Sequence, residues 1–382
     1  MTTDLITKIH EALAGVNDPE LRRPLPDLGM VESVSFANGV ATIGILLTIS
    51  GCPMRDRLGS DISTALSSID EVESVQINFG VMSEEQLEAV KKLLRGGREK
   101  FNPFAQEDSL TRVIGIASGK GGVGKSSVTA NLAVAAAARG LNVGILDADV
   151  YGHSIPRLMG ILDKRPTALN QTFIPVENHG VKVVSMEMFK PNREDPIAYR
   201  GPLLHRVLEQ LMSDAYWGAL DLLLLDLPPG TGDIAISLGQ LIPRSEILVV
   251  TTPQIAAAEV AERAGRIAFQ MKQRLIGVVE NMSESPCPHC GEPIALFGSG
   301  GGLETSKRLS SLVNYEVPLL AKIPFDSHLR DGGDQGTPAF LSAEGGVIKN
   351  SFDELLGALL VRPHSLVGVP LSLHTYATSP IP

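Results

Sequence analysis

The chain has 382 residues and a formal net charge of −10, with 43% hydrophobic and 20% charged residues. That is the balance of soluble globular domains, enough for two or three, and it argues against broad electrostatic capture of nucleic acid or anionic membrane. Three cysteines, Cys52, Cys287 and Cys290, are an odd number with two in a C-x-x-C; this excludes a secreted disulfide framework and points to a reducing cytoplasm.

The opening MTTDLITKIHEALAG lacks a basic n-region and a long apolar run, so it reads as an amphipathic helix rather than a signal peptide. No stretch approaches the roughly 20 apolar residues of a membrane span. Residues 1–90 form one small α/β unit: a helix over Leu5–Ala14, the turn-rich VNDPELRRPLPDLGMV, a hairpin VESVSFANGVATIGILLTI turning at Ala37-Asn38-Gly39, a helix to about Ser68, and a third strand VESVQINFG. Asp18 and Glu20 read as turn caps. Cys52 precedes the second helix. It is either a thiolate favoured by the helix dipole and open to transient metal contact, or a small buried residue. Residues 91–110 mix charge, Gly-Gly and Pro and read as a linker.

From residue 111 to 362, runs apolar on both faces alternate with helical segments: RVIGIAS, NVGILDAD, LDLLLLDLP, EILVVTTP, LIGVVENM and LLAKIPF. Such strands are covered on both sides, which predicts a mainly parallel sheet flanked by helices. GVIKNSFDELLGALLVR is amphipathic with balanced charges, and reads as a core helix rather than a membrane anchor. Residues 363–382 read as a flexible tail.

GKGGVGKS (Gly119, Lys120, Gly121, Gly122, Val123, Gly124, Lys125, Ser126) fits the phosphate-loop pattern G-x-x-x-x-G-K-[ST] between a strand and a helix. The glycines let backbone N–H groups turn toward phosphate oxygens, and the helix N-terminus adds its dipole. Ser127 continues the loop into the helix. Lys125 can reach the β- and γ-phosphates of ATP, and the Ser126 hydroxyl can ligate Mg2+. Asp226, after a fully apolar run, is the expected carboxylate of the magnesium shell. Asp149 is the candidate for orienting the attacking water. Asp147 is either a supporting metal-shell residue or a helix cap. The loop alone has no task for Lys120.

SPCPHCGEP places Cys287 and Cys290 in a Pro- and Gly-rich knuckle that can aim two sulfurs at one point. A redox-active pair, half a zinc site and half an iron–sulfur site all use this spacing, although the loop-like flanks disfavour the redox reading. His289 reads as a spacer. Four ligands are the usual complement, and two chains related by a twofold axis would supply them for one [4Fe–4S] cluster or one Zn2+.

The motifs SGKGGVGKSS, DADVYG, DLPPGTGD and ENMSESPCPHCGE together resemble the Mrp/ApbC family of iron–sulfur cluster carrier ATPases, relatives of MinD, ParA and the nitrogenase iron protein. NDPEL, DLGMV and LTISGCPM resemble a small domain of iron–sulfur assembly factors often fused before them. The resemblance implies a homodimeric ATPase that carries a cluster on Cys287 and Cys290. Its partners would be apo iron–sulfur proteins and an assembly scaffold, with neither nucleic acid nor membrane. It also implies that Lys120 reaches the nucleotide of the facing subunit, and that Asn281 contacts adenine with Pro324–Asp326 bordering the same pocket. A positioning ATPase of the same fold and a non-hydrolysing zinc-bridged scaffold are the alternatives.

Overall fold

The structure, a computed structural model, describes residues 2–19, 21, 23–48, 54–94, 102–149, 152–169, 172–190, 201–230, 233–287, 289–342 and 346–360. Glu20, Cys52 and the tail from 361 onward, for which the sequence suggests a cap, a thiolate and a flexible end, lie outside the described residues.

The N-terminal part comprises α1 (Thr2–Ala14), β1 (Val31–Ala37), β2 (Val40–Leu47), α2 (Arg55–Leu66), β3 (Ser74–Val81) and α3 (Glu84–Leu94). β1 and β2 are antiparallel around Asn38 and Gly39, whose φ values of 50° and 79° are those of a tight hairpin turn. β3 adds in parallel to β2. Ile9 and Leu13 of α1, Ile43 and Ile45 of β2, and Leu58, Ile62 and Leu66 of α2 close a separate core. α3 has no counterpart among the expected elements and runs through Leu94, into the stretch that reads as linker. Further on, Phe104 is buried and the Asn102 amide donates to Leu241 O at 3.1 Å, so residues from 102 are docked rather than free.

The larger part begins with β4 (Arg112–Ser118), α4 (Lys125–Ala138), β5 (Val143–Asp147) and the single-turn α5 (Ile155–Leu158). Short strands β6 (Thr167–Leu169), β7 (Thr172–Ile174) and β8 (Val176–Asn178) lead to β9 (Val181–Ser185) and α6 (Gly201–Ser213). Then come β10 (Leu222–Asp226), α7 (Asp233–Leu241), β11 (Glu246–Thr251), α8 (Ile255–Gln270) and β12 (Arg274–Ser283). The minimal hairpin β13 (Ser285–Pro286) and β14 (Pro293–Ile294) precedes α9 (Gly301–Val313), β15 (Leu319–Pro324), α10 (Ser327–Gln335) and α11 (Gly346–Leu360).

One eight-stranded sheet, in the order β15-β12-β11-β4-β10-β5-β9-β8, is parallel except at its β8–β9 edge. The apolar runs explain this. On β10, Leu222 and Leu224 enter one core with Ile114, Ile116 and the buried face of α11, while Leu223 and Leu225 enter the other with Trp217 and Leu208. Both faces are therefore covered, and each fully buried aliphatic side chain contributes about 1.5–3 kcal/mol. Ile348, Phe352, Leu355, Leu356 and Leu359 are the buried stripe of α11, as its spacing predicts. The two parts touch: Ile174 joins the small core, and the Tyr216 hydroxyl donates to Leu21 O at 3.4 Å. In this sheet the carboxyl ends of β4, β5, β10, β11 and β12 all open on one edge, which is where ligands bind in such folds.

Candidate functional site

In the loop between β4 and α4, two glycines leave no room for a side chain. A Cβ on Gly119 would lie 2.2 Å from the Val260 backbone, and Gly124 has φ of 78° with the Asn281 amide 2.2 Å from where a Cβ would sit. That left-handed glycine turns the chain into α4, so the first helical amides face the loop.

Lys125, 5% exposed, rests its ammonium 2.7 Å from Asp226 Oδ2, and Asp226 is fully buried. The Ser126 hydroxyl donates to the same carboxylate oxygen at 2.6 Å. Thr129, one turn into α4, donates to Asp226 Oδ1 at 2.7 Å. Lysine, serine and carboxylate expected at the phosphates and metal are thus one connected group, closed on itself. Thr129 has no motif to announce it. Oxygen donors from Ser126 and Asp226, side by side, are the hard-ligand chemistry that Mg2+ takes.

Asp147 stands opposite Asp226 in the register of β5 and β10. It is not a helix cap. Ser185 of β9 donates to its Oδ2 at 3.0 Å and the Asp149 amide to its Oδ1 at 3.2 Å. Burial, with the Asp226 carboxylate beside it, holds the Asp147 carboxyl well above the usual carboxylate range. Asp149 is mostly buried, and its Oδ1 accepts from the Gly152 amide at 3.0 Å.

Lys120 lies apart from this group. It is exposed, and its ammonium donates to Gln254 Oε1, at the start of α8, at 3.1 Å. Asn281, near the carboxyl end of β12, is 4% exposed, and its Nδ2 donates to Val123 O at 2.8 Å, so it grips the phosphate loop itself. Its Oδ1 is buried with no hydrogen-bond partner among the described residues. The chain after β15, expected to border the adenine pocket, is anchored to β12 and α10. Phe325 N donates to Ser283 O at 3.1 Å, and Asp326 caps α10 through the His328 amide at 2.8 Å.

The cysteines sit in the β13–β14 hairpin. Cys287 N donates to Glu292 O and Gly291 N to Cys287 O, both at 2.8 Å, which closes the knuckle. Cys287 is half-buried, whereas Cys290 and His289 are exposed. Backbone N–H groups of His289 and Cys290, with the Cys290 side chain, lower the Cys287 thiol below its ordinary value. Among the described residues no group of three or more His, Cys, Asp or Glu side chains could hold a metal. Two thiolates per chain are what this knuckle offers. Ile294 of β14, Leu296 just after it and Phe325, whose carbonyl accepts from Ser285 of β13, are exposed.

Residues 109–360 match the family described as NUBPL iron-transfer P-loop NTPase, and residues 6–79 the family described as iron-sulfur cluster assembly protein. The iron-sulfur cluster carrier protein of Mycobacterium tuberculosis is 50% identical over 372 residues, 97% of this chain and 97% of the relative. That of Bacillus subtilis is 35% identical over 319 residues, 83% of this chain and 87% of the relative. Among solved structures, the nucleotide-binding protein in complex with ADP from Archaeoglobus fulgidus is 37% identical, with a TM-score of 0.52 over 62% of this chain and 90% of that one.

Proposed function

The chain belongs to the NUBPL iron-transfer P-loop NTPase family, and we propose that it is an ATP-hydrolysing carrier that binds an iron–sulfur cluster between two subunits and passes it to apo iron–sulfur proteins. One observation carries this reading: a phosphate loop, held through Asn281, and a two-thiolate knuckle are both attached to the same strand, β12.

At the loop, the Lys125 ammonium exchanges Asp226 for the β- and γ-phosphates of incoming ATP. Ser126 and Asp226 are the residues that would hold Mg2+, which when bound neutralises phosphate charge. Backbone amides from Gly121 to Ser127 cradle the phosphates, and Asn281 Oδ1 is the acceptor available to the adenine amino group. Asp149 orients the water whose oxygen attacks the γ-phosphorus, and the bond to the bridging oxygen breaks to leave ADP and phosphate. Lys120, on the outer face, reaches the nucleotide of the facing subunit and stabilises the transferring phosphoryl as an arginine finger does. Hydrolysis then requires the dimer contact.

The cargo is held by Cys287 and Cys290 of both subunits. Four thiolates complete a [4Fe–4S] cluster, and a site shared between chains opens when the chains part. A lowered Cys287 pKa supplies the thiolate that such ligation needs. The working compartment is a reducing cytoplasm. Among the described residues no helix is long and apolar enough to cross a membrane.

The test is anaerobic transfer. Loaded wild-type protein should pass its cluster to an apo-ferredoxin faster with ATP than without. Lys125→Ala should load iron and sulfide normally, release no phosphate, and show no ATP effect on transfer. Transfer from Lys125→Ala that still accelerates with ATP would sink the proposal.

A further inference from the structure

Five non-glycine residues have positive φ among the described residues. Asn38, His179, Lys272 and Asn314 lie in turns or at a helix end, where such a conformation is ordinary. Met282, φ 60°, lies inside a strand. A long side chain there is disfavoured, because its Cβ crowds the following carbonyl. The pairing of β12 with β15 shows the cause. Asn281 aligns with Ile323 and Ser283 with Pro324, so Met282 is the extra residue of a bulge.

The bulge has one neighbour on each side. Upstream, Asn281 Nδ2 holds Val123 O, and the Met282 methyl lies 3.6 Å from where a Cβ of Gly124 would be. Two consecutive side chains therefore face the loop at Val123–Gly124, although alternation in a regular strand would send one of them to the opposite face. Downstream, Ser283 is fixed two ways: its hydroxyl donates to Glu280 Oε1 at 2.8 Å and its carbonyl accepts Phe325 N; Glu280 is itself held, its Oε2 accepting Gly302 N at 2.7 Å. Ser285 donates to Phe325 O and begins the hairpin that carries Cys287. Asn281, Ser283, Ser285 and Cys287 are thus each tied to a neighbour.

We propose that Met282 is the positioning residue that links the two sites: its left-handed bulge couples the conformation of Val123–Gly124 to the presentation of Cys287 and Cys290. This rests on the reading of the loop as a nucleotide site and the knuckle as a thiolate site. A phosphate that draws the loop backbone inward moves Val123 O and the Gly124 surface. Asn281 and Met282 move with them, and the bulge, already displaced from strand geometry, absorbs the change by turning the segment that leads to the knuckle.

The experiment uses full-length protein, reduced and metal-free, with ADP and Mg2+ as probe. Iodoacetamide alkylation rates of Cys287 and Cys290 are read peptide by peptide, with and without saturating ADP. Met282→Gly adopts the positive φ freely and removes the side chain from Gly124; Met282→Leu keeps the bulk. Wild type and Met282→Leu should change rate by at least about fivefold on ADP binding, whereas Met282→Gly should respond by less than about twofold while its ADP Kd stays within about threefold of wild type. An undiminished response in Met282→Gly, no response in wild type that binds ADP, or loss of ADP binding in Met282→Gly would each overturn the proposal. Failure of the underlying reading looks different: wild type would bind no ADP, or take up no iron in a separate reconstitution.

Discussion

Asp147 and Asp226 face one another across adjacent parallel strands, both fully buried, with Lys125 as the cation that pairs with Asp226. Neighbouring strands are about 4.8 Å apart, and two unit charges at about 5 Å in an effective dielectric of about 20 repel by about 3 kcal/mol. Burial, with that repulsion added, holds the Asp147 carboxyl well above the usual carboxylate range. Asp147→Asn should therefore cost less than about 1 kcal/mol, because relief of the repulsion offsets the loss of one acceptor facing the Ser185 hydroxyl or the Asp149 amide. Asp226→Asn breaks a buried ion pair, which alone costs about 3–5 kcal/mol. Removing Asp226 also frees Asp147 to ionise and take up Lys125, so the net cost should be about 1–3 kcal/mol. In the double variant no carboxylate remains, and the full cost of about 3–5 kcal/mol returns. The cycle should show about 2 kcal/mol of coupling. Urea unfolding of the nucleotide-free protein, followed by fluorescence of Trp217, measures it, since this single tryptophan is buried in the ATPase part. Additive effects, or an Asp147→Asn as costly as Asp226→Asn, would refute the reasoning. The sign of the pH dependence is also set. A carboxyl raised in the folded state favours folding below its unfolded value near 3.8 and loses that contribution as pH rises toward the folded pKa. Asp147→Asn removes the loss, so its cost should shrink with rising pH.

Three further predictions concern the loop and the knuckle. Mixed dimers of Lys120→Ala with Lys125→Ala should recover about a quarter of the wild-type phosphate release per chain, since half the dimers carry one complete site; silence in demonstrated mixed dimers would contradict action across the interface. Cys287, with its thiol below the ordinary 9.0, should reach half-maximal alkylation rate at lower pH than a free cysteine thiol such as N-acetylcysteine; coincident profiles would remove the special role of the His289 and Cys290 amides. Thr129→Val should weaken nucleotide binding by about 1 kcal/mol through loss of its bond to Asp226, read by calorimetry; an unchanged Kd would show that Thr129 serves packing alone.

Much of the fold and the loop is legible in the chain because the signals are local. GKGGVGKS names its own strand, turn and helix, LLLLD names a strand buried on both faces, and Asn38-Gly39 names a hairpin. What escapes is non-local. Nothing in the spacing brings Thr129 to Asp226 or Ser185 to Asp147, because those contacts depend on sheet register. Asn281 is expected at an adenine; the bulge at Met282 that lays its amide on Val123 O has no sequence signature. α3 is hidden by charged KK and the Gly-Gly beyond it, which read as linker. β6 to β9 are only three to five residues long, too short for periodicity to separate strand from loop.

The central claim is that two chains share one cluster through Cys287 and Cys290. Iron and acid-labile sulfide per dimer after anaerobic reconstitution test it most directly. Wild type should bind about four of each per dimer, and Cys287→Ala almost none. Equal iron and sulfide in the two proteins, or zinc in place of both, would contradict it.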